Sequence, residues 1–104
     1  MNKLFFIACL VFVLTDAGVL AKKPELKFNQ DKKFKIVQFT DTHVMLGDPY
    51  WDATFETFSK VLDAEKPDLV VLTGDIVTGA PTQKGWEAVT DLIIQRKIPF
   101  ATVF

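Results

Sequence analysis

Phe34–His43 reads FKIVQFTDTH and Pro67–Asp75 reads PDLVVLTGD. Each is a short apolar run that stops in groups able to hold a cation: Asp41-Thr42-His43 after the first, Gly74-Asp75 after the second. Phe34–Thr40 has the composition of a strand, with Lys35 and Gln38 as its polar exceptions. Phe34, Ile36 and Gln38 share one face, and Lys35, Val37 and Phe39 the other. Both faces are largely apolar, which predicts covering layers on both sides, as in a parallel or mixed sheet. Leu69-Val70-Val71-Leu72, within a strand predicted over Asp68–Thr73, is a continuous apolar run of the kind buried on both faces.

The residues between and after these runs read as turns and helices. Val44–Tyr50 holds Gly47 and Asp48-Pro49, which is turn chemistry. Phe55, Phe58, Leu62 and Glu65 follow helical spacing, with Val61 widening the stripe, and predict a helix over Trp51–Glu65. Asp52 or Thr54 is placed to cap its start, and Pro67 closes its end. Ile76–Pro81 is a loop. Thr82 then caps a second helix over roughly Gln83–Arg96, with Trp86, Val89, Ile93 and Ile94 as its core stripe. After Pro99, Phe100–Phe104 begins a third strand. The order β-α-β-α-β, with helical connections of this length, predicts parallel neighbours and right-handed crossovers.

In an open α/β sheet, ligands bind outside the carboxyl ends of the strands. Asp41, His43 and Asp75 all lie there. Residues two apart in an extended chain point the same way, so Asp41 and His43 are expected to reach one point, with Thr42 turned aside. Asp75 joins them if the two strands are neighbours. Gly74 removes a side chain where the backbone approaches. Two carboxylates and an imidazole suit zinc, manganese or iron. Because a carboxylate can bridge, a pair of ions about 3.5–4 Å apart would bind phosphate oxygens and activate water. Such chemistry needs no Ser or Cys nucleophile. The GxGxxG and Walker phosphate-loop patterns are absent.

The 104 residues carry 12 Lys+Arg against 13 Asp+Glu and are 49% apolar, which excludes a disordered tail and gives no basic field for nucleic acid. Residues 1–21 read as a cleaved signal peptide. Lys3 gives a positive start, Leu4–Leu14 is an apolar core, and Val19-Leu20-Ala21 offers a cleavage site after Ala21. The apolar run is short of the ~20 residues a spanning helix needs, so no stable membrane anchor is expected. The expected location is secreted, or the lumen of the secretory pathway or vacuole. Cys9, the one cysteine, lies inside this segment, so disulfides contribute nothing to the mature fold. Residues 22–33 (KPELKFNQDKK after Lys22) form a polar leader, read as solvated because Glu25 and Asp31 dilute its lysines.

Asp41-Thr42-His43 resembles the D-x-H motif of the calcineurin-like metallophosphoesterases, and Gly74-Asp75 resembles their second motif, G-D. FKIVQFTDTH, PDLVVLTGD about thirty residues later, and IPFATVF before a third motif together look like that family's opening. The branch they most resemble is the one related to purple acid phosphatases. The resemblance covers residues 34–104, read as the N-terminal, truncated part of such a domain. It implies a four-layer α/β sandwich with a phosphoester substrate. It also implies hydrolysis by water activated between two divalent or mixed-valence ions of iron, zinc or manganese. Asp41 and His43 would ligate the first ion and Asp75 would bridge both. Two departures matter. Purple enzymes carry a tyrosine three residues after the G-D aspartate, and here that residue is Thr78, so no tyrosinate–iron bond is expected. The later histidine motifs are also absent, since the sequence has one histidine in all.

Blander roles compete for several residues. Asp48 is read as a turn residue. Trp51, Phe55, Phe58 and Trp86 are read as core by their spacing. Thr42, Thr73 and Thr78 are read as ordinary loop or strand residues. Phe100, Val103 and Phe104 make an apolar third strand with an exposed edge. Two function classes stay open: a metal-dependent phosphoesterase of which this is the front part, and a non-catalytic truncated α/β module with at most a partial metal site.

Overall fold

The computed structural model describes residues 24–103, so the signal-peptide reading of residues 1–21 and Phe104 lie outside it. β2 (Leu69–Thr73) is the middle of a three-stranded sheet, between β1 (Ile36–Thr40) and β3 (Phe100–Val103). Both pairings are parallel, with Val70 between Val37 and Phe100, and Leu72 between Phe39 and Thr102. α1 (Trp51–Glu65) and α2 (Thr82–Ile94) make the crossovers. Two crossovers of one hand in the order β1-β2-β3 lay both helices on the same face. The core records this: Phe58 and Leu62 of α1 and Val89 and Ile93 of α2 are buried with Val70 and Leu72 of β2.

The alternation of the strands follows from that single covered face. Val37 and Phe39 are half-buried under the helices, whereas Ile36, Gln38 and Thr40 are exposed. Across the open face, Gln38 donates from Nε2 to Thr73 Oγ1 at 2.9 Å. The expected cover on both faces is therefore not found among the described residues: the sheet has one helical layer. Leu69 and Val71 point to the open side and are half-buried by their strand neighbours alone.

The predicted α1 bounds agree with the structure, but its start differs. Tyr50 is the N-cap and makes no side-chain cap bond. Asp48 does the ordering instead: its Oδ1 accepts from Tyr50 N–H at 2.9 Å and its carbonyl from Trp51 N–H at 3.0 Å. Thr54 bonds back to the Tyr50 carbonyl. The end is closed by Lys66 in the left-handed region (φ +45°), whose N–H reaches the Leu62 carbonyl before Pro67 halts the chain. At α2, Pro81 is the N-cap and Thr82 the first helical residue, without a side-chain cap bond. The Arg96 guanidinium grips both Asp63 carboxylate oxygens (2.7 and 3.1 Å) and so ties the end of α2 to α1. Through that hydrogen bond it holds the Asp63 carboxyl below its ordinary range.

Candidate metal centre

β1 and β2 stay zipped together beyond their formal ends. Asp41 N–H donates to the Gly74 carbonyl, His43 N–H to Asp75 and Val44 N–H to Ile76, at 2.7–2.9 Å. Val44 and Val77 then form a parallel bridge, and Val44 is fully buried. This continuation is not extended strand. Asp41 (φ +52°), His43 (+47°), Gly74 (+48°) and Asp75 (+48°) all occupy the left-handed region. That conformation costs an L-residue about 1–2 kcal/mol. Six non-glycine residues among those described adopt positive φ. Three are lysines in the turns before strands, and the other three are Asp41, His43 and Asp75. Strain of this sort concentrates where a site needs side chains in fixed places.

The result is convergence. One ligand-type atom from each of Asp41, His43 and Asp75 lies within 4.8 Å of the other two, and all three residues are exposed. The three residues meet as expected from their places after the strands, but by a different route. Asp41 and His43 meet through left-handed turns, not through the alternation of a strand. Thr42 does turn aside, and its hydroxyl donates to the Ile76 carbonyl at 2.9 Å, pinning the loop to the neighbouring segment. Gly74 is not needed for space, because a Cβ there would meet only Thr40 Oγ1 at an ordinary 3.7 Å. Its use is its backbone angle.

Two contributors escaped the sequence reading. Thr40 Oγ1 donates to Asp41 Oδ2 at 2.7 Å, orienting the carboxylate and leaving Oδ1 free. The hydroxyl residue just before the D-x-H aspartate was a signal, but a faint one among strand threonines. Gly79 lets the 76–81 loop lie against Met45, where a Cβ would stand 2.9 Å from the Met45 Cα. Thr78, in the same loop, donates its N–H to the Val44 carbonyl and is exposed.

The donor set can be tested against an ion. Bonds of about 2.0–2.2 Å at tetrahedral angles put two donors on one ion about 3.3–3.6 Å apart. Atoms that lie within 4.8 Å of one another reach that spacing by modest side-chain rotation. Two hard carboxylates and a borderline imidazole fit zinc, manganese or iron. Among the described residues the cluster ends at three donors, and a zinc ion takes four.

Residues 34–104 match the family described as calcineurin-like phosphoesterase, and the chain belongs to that family. It is 40% identical over 96 residues to "Phosphatase DCR2" of Saccharomyces cerevisiae, covering 76% of this chain and 17% of that protein. It is 39% identical over 67 residues to "Uncharacterized metallophosphoesterase YkuE" of Bacillus subtilis, covering 64% of this chain and 23% of that protein. It is 32% identical over 95 residues to "Probable inactive purple acid phosphatase 28" of Arabidopsis thaliana, covering 75% of this chain and 24% of that protein. The chain thus spans less than a quarter of the length of each of these relatives. No solved structure matches it.

Proposed function

We propose that this chain is the front part of a metal-dependent phosphoester hydrolase, with Asp41 and His43 holding one divalent ion and Asp75 shared with a second. The observation that carries the reading is the convergence of three donors from two strand ends on left-handed backbone. A protein has little reason to retain three such angles at neighbouring positions unless their side chains are needed together.

Each residue has a task in this reading. Thr40 holds one oxygen of Asp41, so the other is presented in a fixed direction. The Thr42 hydroxyl and the Asp41, His43 and Val44 amides tie the first loop to the second, fixing the spacing of His43 and Asp75. Asp75 has two carboxylate oxygens, which suits a bridging role. A bound divalent ion would draw charge from phosphoryl oxygens and make water more acidic.

A second reading is supported by two observations: the donor cluster stops at three, and one of the relatives carries the word "inactive" in its name. In that reading the chain binds one ion and turns nothing over. We also assign residues 1–21 to a cleaved leader and the mature start to Lys22, on the strength of Lys3, Leu4–Leu14 and Val19-Leu20-Ala21. N-terminal sequencing of the secreted protein is expected to begin at Lys22, and recovery of Met1 rejects the assignment.

The deciding experiment pairs metal analysis with turnover of an aryl phosphate for the full-length wild type and its Asp75→Asn variant. An amide bridges ions poorly, so the variant is expected to lose bound metal and hydrolysis together. Normal metal content with near-normal turnover rules out the bridging role. Metal binding without turnover in the wild type favours the second reading.

A further inference from the structure

We propose that a cleft running from His43 along the start of α1 takes the leaving group, and that it selects phosphoesters of apolar or aromatic alcohols. This deepens the phosphoesterase reading and rests on it.

Two concavities adjoin beside His43, the one candidate donor that lines either of them. The smaller, about 210 Å3, is lined by His43, Met45, Asp48 and Trp51. The larger, about 370 Å3, is lined by Phe39, Ala53, Thr57 and Phe58. Thr42, Tyr50 and Thr54 line both, so the two form one cleft with a gradient along it. At the His43 end it offers an imidazole and a carboxylate. At the far end it offers two stacked phenyl rings, Phe39 on Phe58 with centroids 4.0 Å apart, and a small Ala53 between hydroxyls. A phosphoester with its phosphate at His43 would place its ester group towards the apolar end. Its size fits one ring or a short alkyl chain, at the low end of small-molecule pockets.

Tyr50 stands at the junction of the two. It is 77% exposed, an unusual position for a large aromatic ring. Its backbone is nevertheless held firmly. Its N–H goes to Asp48 Oδ1, and its carbonyl accepts from both the amide and the hydroxyl of Thr54. A ring fixed at its base and bare on its faces is a stacking surface for another ring. The only polar side-chain groups at the far end are the Tyr50 phenol and the Thr42, Thr54 and Thr57 hydroxyls, and the three threonine hydroxyls already donate to backbone carbonyls, which leaves little to replace the hydration of a sugar or a polyphosphate. Apolar ester groups are therefore favoured.

The test compares phenylphosphonate with methylphosphonate, which share the phosphonate and differ in the apolar group. Each is titrated into the protein with Mn(II) in a calorimeter, which reads the affinity directly in the wild type and in each variant. Wild type is expected to bind the phenyl compound about tenfold more tightly, the discrimination typical of a few apolar contacts. Ala53→Trp fills the far end from an exposed position on α1, and Tyr50→Ala removes the ring. Both are expected to bring the two affinities within about twofold, with circular dichroism confirming that each variant folds. Equal affinities in the wild type, or a preference that survives both variants, overturns the leaving-group assignment alone. Methylphosphonate binding that is unchanged by EDTA overturns the metal reading beneath it. Binding of neither compound overturns both.

Discussion

At the scale of single residues, the site is built by backbone angles that a side-chain motif does not reveal. The D-x-H and G-D signals named Asp41, His43 and Asp75, because the types of donor and their place after strands are legible in a sequence. The left-handed conformation at all three was not legible, since Asp and His take it only when the surrounding structure insists. Gly74 was legible as special but for the wrong reason: its angle matters, not its missing volume. This separates two glycine substitutions. Gly74→Ala keeps its space and is expected to cost about 1 kcal/mol through its φ of +48°. Gly79→Ala forces a Cβ against the Met45 backbone and is expected to cost more, about 1–3 kcal/mol. Urea unfolding checks both, and equal or reversed losses show that the loop relaxes at Met45.

At the scale of elements, periodicity and capping fared differently. The run of Phe55, Phe58 and Leu62 placed α1 correctly, because burial of a stripe fixes a helix whatever its ends do. Both caps were misread. Asp48 and Pro81 set the starts from outside the helices, and neither Asp52 nor Thr82 makes a cap bond. The end of α1 invites a test of the opposite sign from most mutations. Lys66 sits at φ +45° in the position glycine prefers, so Lys66→Gly is expected to stabilise by up to about 1 kcal/mol. A lower melting temperature would mean that the lysine side chain matters more than its backbone. The Arg96–Asp63 link between the helices gives a pH signature. The folded pKa of Asp63 lies below its ordinary 3.8, so the link contributes above that value and is lost as pH falls through the lower folded one. Asp63→Asn is expected to lower the melting temperature at pH 7, with the gap to wild type closing as pH falls through the lowered folded pKa. A gap that is constant with pH assigns the effect to packing.

At the scale of the whole molecule, the open face of the sheet is where local sequence logic reached beyond the described residues. The LVVL run of β2 was read as doubly covered, and the apolar residues of its second face are present as that logic requires. What the described residues lack is a layer to lie over them. Ile36 is 55% and Val103 56% exposed, and Ala101, on β3 with Val103, is exposed as well. Val103 also belongs to β3, an edge strand with its outer backbone groups unpaired. An apolar face beside an open edge is a template for pairing with another chain. Expressed by itself, the 104-residue chain is therefore expected to self-associate as its concentration rises through the ~10–100 µM range, where such surfaces meet often. Val103→Lys places a charge on both the face and the edge while leaving Val70, Leu72 and the loops that carry Asp41, His43 and Asp75 untouched. It is expected to shift the onset of association to several-fold higher concentration, read by light scattering, with an unchanged far-ultraviolet circular dichroism spectrum. A wild-type chain that stays monomeric throughout that range would show the open face to be covered in solution. A lysine variant that associates as readily as wild type would move the sticky surface elsewhere, to the exposed Leu26 and Phe28 of the leader.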